Sequence, residues 1–97
     1  MTYSLRASPI FWDNVDAVHG DKDLLRAIYD ALFALSTDGD TAPGIMLFPI
    51  PVPPIMFDGG TIELANGDGF ITFIKPSDDR YYALRMTLYH WDDDDDY

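Results

Sequence analysis

The chain has 97 residues, 47% of them hydrophobic and 14% aromatic, no cysteine, and seventeen acidic against six basic side chains for a formal net charge of -11. That length suits one domain with a single core, and the apolar content is that of a folded chain. The absence of cysteine excludes a disulfide framework and a thiolate metal centre, and the charge repels phosphate backbones unless the few cations are gathered into one patch.

Residues 2–7 alternate, with Tyr3, Leu5 and Ala7 on one side and Thr2, Ser4 and Arg6 on the other, the pattern of a short strand. Ser8-Pro9 is an N-cap and first-turn pair. Behind it, Phe11, Val15 and Val18 recur at helical spacing beside Trp12 until Gly20. Asp21 caps a second helix over 22–36. Its stripe is Leu24, Leu25, Ile28, Leu32 and Leu35, widened by Tyr29 and Phe33. Each such side chain, once buried, contributes about 1.5–3 kcal/mol of transfer free energy. His19 lies at the end of the first helix, where it meets the last carbonyls.

Residues 37–44 read as a loop. Asp38 and Asp40 flank a glycine there, but the other ligands of a calcium loop are missing, so neither metal nor cofactor is expected. Residues 45–57, IMLFPIPVPPIMF, set four prolines among large apolar side chains. Proline cannot donate to a β-ladder, so the expectation is an extended, polyproline-like segment. It lies as a lid over the core or, in the alternative, forms an exposed ridge that docks on a partner or on a second copy as a homodimer.

Asp58-Gly59-Gly60 is a turn, and 61–65 is a strand with Ile62 and Leu64 inward. Asn66-Gly67 is a hairpin pair leading into 69–91, GFITFIKPSDDRYYALRMTLYHW. There, two strand-forming runs flank a turn at Pro76-Ser77-Asp78-Asp79. In the second run Tyr82, Leu84, Met86 and Leu88 are expected to face a core. Tyr81, Ala83, Arg85, Thr87 and Tyr89 are expected on the opposite, half-exposed face.

The whole is an α+β domain over 1–91: strand, helix, helix, then an antiparallel three-strand meander, giving a sheet of about four strands. Residues 92–97 form an acidic tail. Trp91, Asp92, Asp93, Asp94, Asp95, Asp96 and Tyr97 offer a strip of carboxylates bracketed by two rings. No apolar run reaches membrane-spanning length and the first residues are not those of a signal peptide, so the expected location is cytoplasmic, with no membrane partner.

The segments MTYSLRASPIFWDNV, DLLRAIYDALFAL and GTIELANGDGFITFIKPSDDRYYALRMTLYHW, in this order, resemble the RelE/ParE toxin superfamily. The resemblance implies a small toxin–antitoxin protein whose relatives cleave mRNA on the ribosome or poison gyrase, and whose sheet is wrapped by an antitoxin. Where family strands carry arginines, this chain has TIELA and GFITFIK. A ribonuclease needs cations to hold the scissile phosphate. Lys75, Arg80 and Arg85 remain, with Arg6 on the neighbouring strand. The catalytic candidates are Arg85, Tyr89 and His90, and the resemblance then implies a degenerate toxin or protein-binding module with little nuclease activity.

The expected partner is a protein with a basic or apolar surface rather than free nucleic acid. The residues expected to meet it are Tyr81, Arg85, Tyr89, Trp91, Asp92 to Asp96 and Tyr97. The alternative function is an acidic inhibitor or nucleic-acid mimic of the phage-encoded anti-defence kind.

Overall fold

The computed structural model describes residues 3–90. Strand β1 (Ser4–Ala7) leads into helix α1 (Pro9–Asp16) and helix α2 (Lys22–Asp38), the latter closed by a 3-10 turn, Gly39–Thr41. Then come β2 (Ile45–Leu47), β3 (Ile50–Val52), β4 (Ile55–Phe57), β5 (Gly59–Glu63), β6 (Gly69–Ser77) and β7 (Arg80–Leu88). Five strands make one sheet in the order β1-β7-β6-β5-β2, and β3-β4 is a separate hairpin. β1 runs parallel to β7, while the β5-β6-β7 meander and the β2-β5 pair are antiparallel. The α+β architecture is the expected one, with one more strand than expected because β2 adds to β5.

Local chemistry sets the helix ends. Ser8 is extended and its hydroxyl accepts from the Phe11 N–H at 3.0 Å, with Pro9 in the first turn. Asp21 accepts from the Leu24 N–H at 3.1 Å and starts α2. α2 continues through Thr37 and Asp38, which the sequence reading placed in a loop, and stops at Gly39 with φ 59°. A side chain at Gly39 would be in the left-handed region, and its Cβ would stand 2.8 Å from the Tyr3 ring and the Tyr81 hydroxyl.

The core lies between the helices and one face of the sheet. Leu24, Ala27, Ile28, Ala31, Leu32 and Leu35 of α2 pack with Phe11, Val15, Ile62, Leu64, Ile71, Phe73, Ala83, Met86 and Leu88. Tyr29 and Phe33 do not widen this stripe. They point to solvent, Phe33 with 70% of its surface exposed, because the core side of α2 is completed by the small residues Ala27 and Ala31.

Residues 45–57 depart furthest from expectation. They are not a polyproline segment but an edge strand followed by a tight hairpin, with Pro51 in β3 and the cis Pro53-Pro54 pair in its turn. Nor do they form a lid over the core, although Ile45 packs against it, partly buried. Met46, Leu47, Phe48, Val52, Ile55 and Met56 are exposed, and Ile50 alone of the segment is buried. Proline is tolerated here because the hairpin has no further strand on which to form a ladder.

Candidate functional site

Register assigns the faces. Directly paired residues share a face, so Thr61, Thr72 and Arg85 stand in one row on the side away from the helices. Glu63, Phe70 and Thr87 form a second row there, and Arg6, Tyr82 and Ile74 a third. Tyr81, paired with Leu5, belongs to the helix side.

That corrects the expected face pattern of the last strand. Thr72 pairs with Arg85, but the next residue, Phe73, pairs with Ala83, which leaves Leu84 as an extra residue in β7. One inserted residue reverses the alternation. Met86 and Leu88 therefore face the core as expected, whereas Tyr82 and Leu84 do not, and Tyr81 and Ala83 do in their place. The backbone groups at the bulge are satisfied by α1. The Ser8 hydroxyl donates to the Leu84 carbonyl, the Ser8 N–H to Ala83 O at 2.9 Å, and the Met86 N–H to Asn14 Oδ1 at 3.0 Å.

Tyr81 is thus no partner-binding residue: 2% of its surface is exposed. Its hydroxyl donates to Asp40 Oδ1 at 2.7 Å, while the other Asp40 oxygen takes the Lys75 ammonium at 2.7 Å. The same ammonium lies 5.6 Å from the centre of the Tyr81 ring, which also meets the rings of Tyr3 and Phe73 edge-on. Burial and the Asp40 carboxylate push the Tyr81 phenol far above its ordinary range. Burial alone would raise the Asp40 carboxyl, but the Lys75 and Tyr81 hydrogen bonds outweigh it and hold the group below the usual value. Lys75 is consumed in this tie between the end of α2 and the sheet, so it is not available to an incoming anion.

On the outer face, the β3-β4 hairpin rises over the sheet, where Ile50 and Ile74 are buried apart from the main core. Between hairpin, sheet and the start of α1 lies a cleft of about 640 Å³. Its walls are Ile10, Phe48, Ile50, Pro51, Val52, Pro53, Phe70 and Leu84, with Ser8, Thr61, Thr72 and Arg85 among them. A second groove of about 450 Å³ runs between α2 and β5, but its charged lining, Asp30 and Glu63, is acidic and gathers no convergent polar chemistry.

The outer cleft is where the candidates are to be tested. Arg85 lines it, exposed, with no ion pair among the described residues. Tyr89 stands at the sheet end, its ring on Phe70 with centroids 5.8 Å apart, and its hydroxyl donates to both Glu63 carboxylate oxygens, at 2.9 and 3.1 Å. That hydrogen bond pushes the phenol above its ordinary range, with burial and the Glu63 charge adding to it. His90 is exposed, beyond the end of β7. Neither Tyr89 nor His90 lines the cleft with Arg85. Trp91, Asp92 to Asp96 and Tyr97 lie outside the described residues. The sequence reading missed Thr61, Phe70, Thr72 and Leu84 as cleft residues. Only the turn pairs on either side of β6 pointed to their neighbourhood.

A solved structure described as the crystal structure of a metal-bound toxin from Helicobacter pylori has this fold. It is 16% identical and matches with a TM-score of 0.64 over 92% of this chain and 97% of that one. The chain has a toxin-like fold. No protein-family profile matches it, and neither does any curated protein sequence. Among the described residues no three His, Cys, Asp or Glu side chains are gathered to hold a metal ion, and no helix is long and apolar enough to cross a membrane.

Proposed function

We propose that this chain is a RelE/ParE-like protein of the toxin–antitoxin type that acts as a protein-binding module through its outer-face cleft, with little nuclease activity. The observation that carries the reading is the make-up of the cleft: apolar walls, Thr61 and Thr72, and Arg85 as the single charged residue lining it among the described residues. Phosphodiester cleavage calls for cations around the developing charge and an acid or base within hydrogen-bond reach of the reacting atoms. Here the candidate phenol, Tyr89, does not line the cleft, and its hydrogen bond to Glu63 pushes it above its ordinary range, which disfavours it as a base. Apolar walls around one guanidinium suit instead a peptide segment that brings an apolar anchor and a carboxylate, since buried anchors carry binding energy and a bidentate Arg–carboxylate pair fixes orientation.

The toxin-like fold supports the class, and the departures at TIELA and GFITFIK support the loss of chemistry. The acidic-inhibitor alternative draws on residues 91–97, outside the described residues, and on Tyr81, which is buried.

Expression in a bacterial host tests this. Growth and translated mRNA should stay intact, and co-expression with the product of the adjacent gene should yield a complex that Arg85→Glu weakens by at least about tenfold, the loss expected when a buried charge is left facing a like charge. Growth arrest with mRNA cleavage, relieved by Arg85→Ala, would show a working ribonuclease and end the reading.

A further inference from the structure

We propose that the solvent-facing stripe of α2 joins two copies of this chain, their α2 helices packed antiparallel about a two-fold axis. The stripe is the side of α2 turned away from the core. Lys22, Arg26, Tyr29 and Phe33 are exposed along it at spacings of four, three and four residues, which keep side chains on one seam between two helices. Tyr29 and Phe33, one turn apart, leave 52% and 70% of their surface in water, and Asp30 and Thr37 are exposed beside them. Two large rings stacked along a helix that already buries its other face are apolar surface in excess of what folding uses.

Charge names the occupant. A net charge of -11 drives copies apart wherever acid meets acid, but this stripe sets two cations, Lys22 and Arg26, ahead of one carboxylate, Asp30. Neither cation has an ion pair among the described residues, although Asp30 lies four residues beyond Arg26. Lys22 also stands in the first turn, at the positive end of its own helix dipole, while the last turn of α2 has no basic residue. A second copy running the opposite way answers both features. With the axis between Tyr29 and Asp30, Arg26 of one copy falls opposite Phe33 of the other, one turn from the Asp30 of that copy. Lys22 falls opposite Thr37, at the negative end of the other helix. Stacking on the ring and pairing with the carboxylate are then made twice by symmetry, and the contact closes at two copies. It is one helix wide, so it belongs among weak, reversible interfaces. The outer-face cleft lies across the sheet from α2 and stays open, so the pair presents two clefts.

Sedimentation equilibrium of the full chain at low ionic strength tests this. Dimer should appear between about 0.01 and 1 mM, the range of a weak interface. Phe33→Ser and Arg26→Asp should each raise the dissociation constant at least about tenfold, since each change acts twice across the axis. Adding Asp30→Arg to Arg26→Asp exchanges the two charges and should return the constant to within about threefold of the native value. Met56→Ser, in the exposed β3-β4 hairpin, should leave it unchanged. All four positions are exposed, so far-ultraviolet circular dichroism should be alike in every variant. Three results would overturn the proposal: a monomer up to about 1 mM, a dimer that Phe33→Ser leaves intact, or one weakened by Arg26→Asp that the added Asp30→Arg does not restore. The free chain is measured without a partner, so its failure here leaves the partner reading of the cleft to its own test.

Discussion

Thr72 and Phe73 are neighbours in β6 and live in different surroundings. Phe73 is fully buried in the core, edge-on to Tyr81, whereas Thr72 opens onto a cleft beside an arginine without a counter-ion among the described residues. The helix side of the sheet behaves as a protein interior, and among the described residues no buried side-chain polar atom there or elsewhere lacks a hydrogen-bond partner. Among the described residues the outer side leaves Arg6, Arg80 and Arg85 and the hairpin side chains Val52, Ile55 and Met56 in water, while Ile50 and Ile74 are buried there. A face that contributes little to folding while exposing apolar surface around fixed polar groups has the character of a binding site. The contrast places the packed core on one side of the sheet and the proposed binding surface on the other.

The largest effect should come from crossing that boundary by a single residue. Phe73→Ala is expected to cost about 3–5 kcal/mol, the range for a large aromatic deleted from a packed core. Thr72→Ala should remain within about 0.5 kcal/mol, as for surface changes away from structural features. Urea unfolding midpoints decide it, and similar losses at the two positions would break the division between the faces.

A middling effect should come from the seam where the faces exchange. Ser8→Ala removes the cap of α1 and leaves the Leu84 carbonyl of the bulge without its donor. Asn14→Ala strands the Met86 N–H. Each should lose about 1–3 kcal/mol, the cost of an unsatisfied buried group. If the bulge also shapes the cleft, both variants should shift the amide signals of Arg85 more than those of Ile28, and a uniform response would separate the seam from the site.

The bulge also marks where the sequence stopped being legible. Period-two alternation in YYALRMTLYH is unbroken on the page, and nothing in those letters announces that Leu84 is unpaired, because its carbonyl is satisfied by a serine 76 positions away. Both helix caps, the stripe from Leu24 to Leu35 and the closing meander were legible, since each is encoded within a few residues. The proline segment was read as extended, but its burial was misjudged: whether Val52 or Met56 is covered depends on which face the hairpin meets, a tertiary fact. The cleft was visible only through Arg85, because its other walls come from α1, the hairpin and three strands.

The smallest effect concerns the tie between Asp40, Lys75 and Tyr81, which belongs to the helix side and should respond to pH without touching the cleft. The Asp40 carboxyl is held below its ordinary value, so its stabilising contribution is complete above about pH 3.9, the unfolded value, and is lost as pH falls through the lower folded one. The Tyr81 phenol is raised, so its contribution is complete below about pH 10 and is lost as pH climbs from there towards the folded value. Asp40 keeps 39% of its side chain in water, and solvent screening limits the ion pair to under about 1 kcal/mol. Lys75→Met should therefore flatten the acid limb of a stability–pH curve modestly, and Tyr81→Phe should remove this tyrosine's share of the alkaline limb. Complex formation through Arg85, measured at pH 7 on the same variants, should not change. A loss of binding in Lys75→Met equal to that in Arg85→Glu would mean the two faces are coupled, and the separation of stability from recognition would fail at this point.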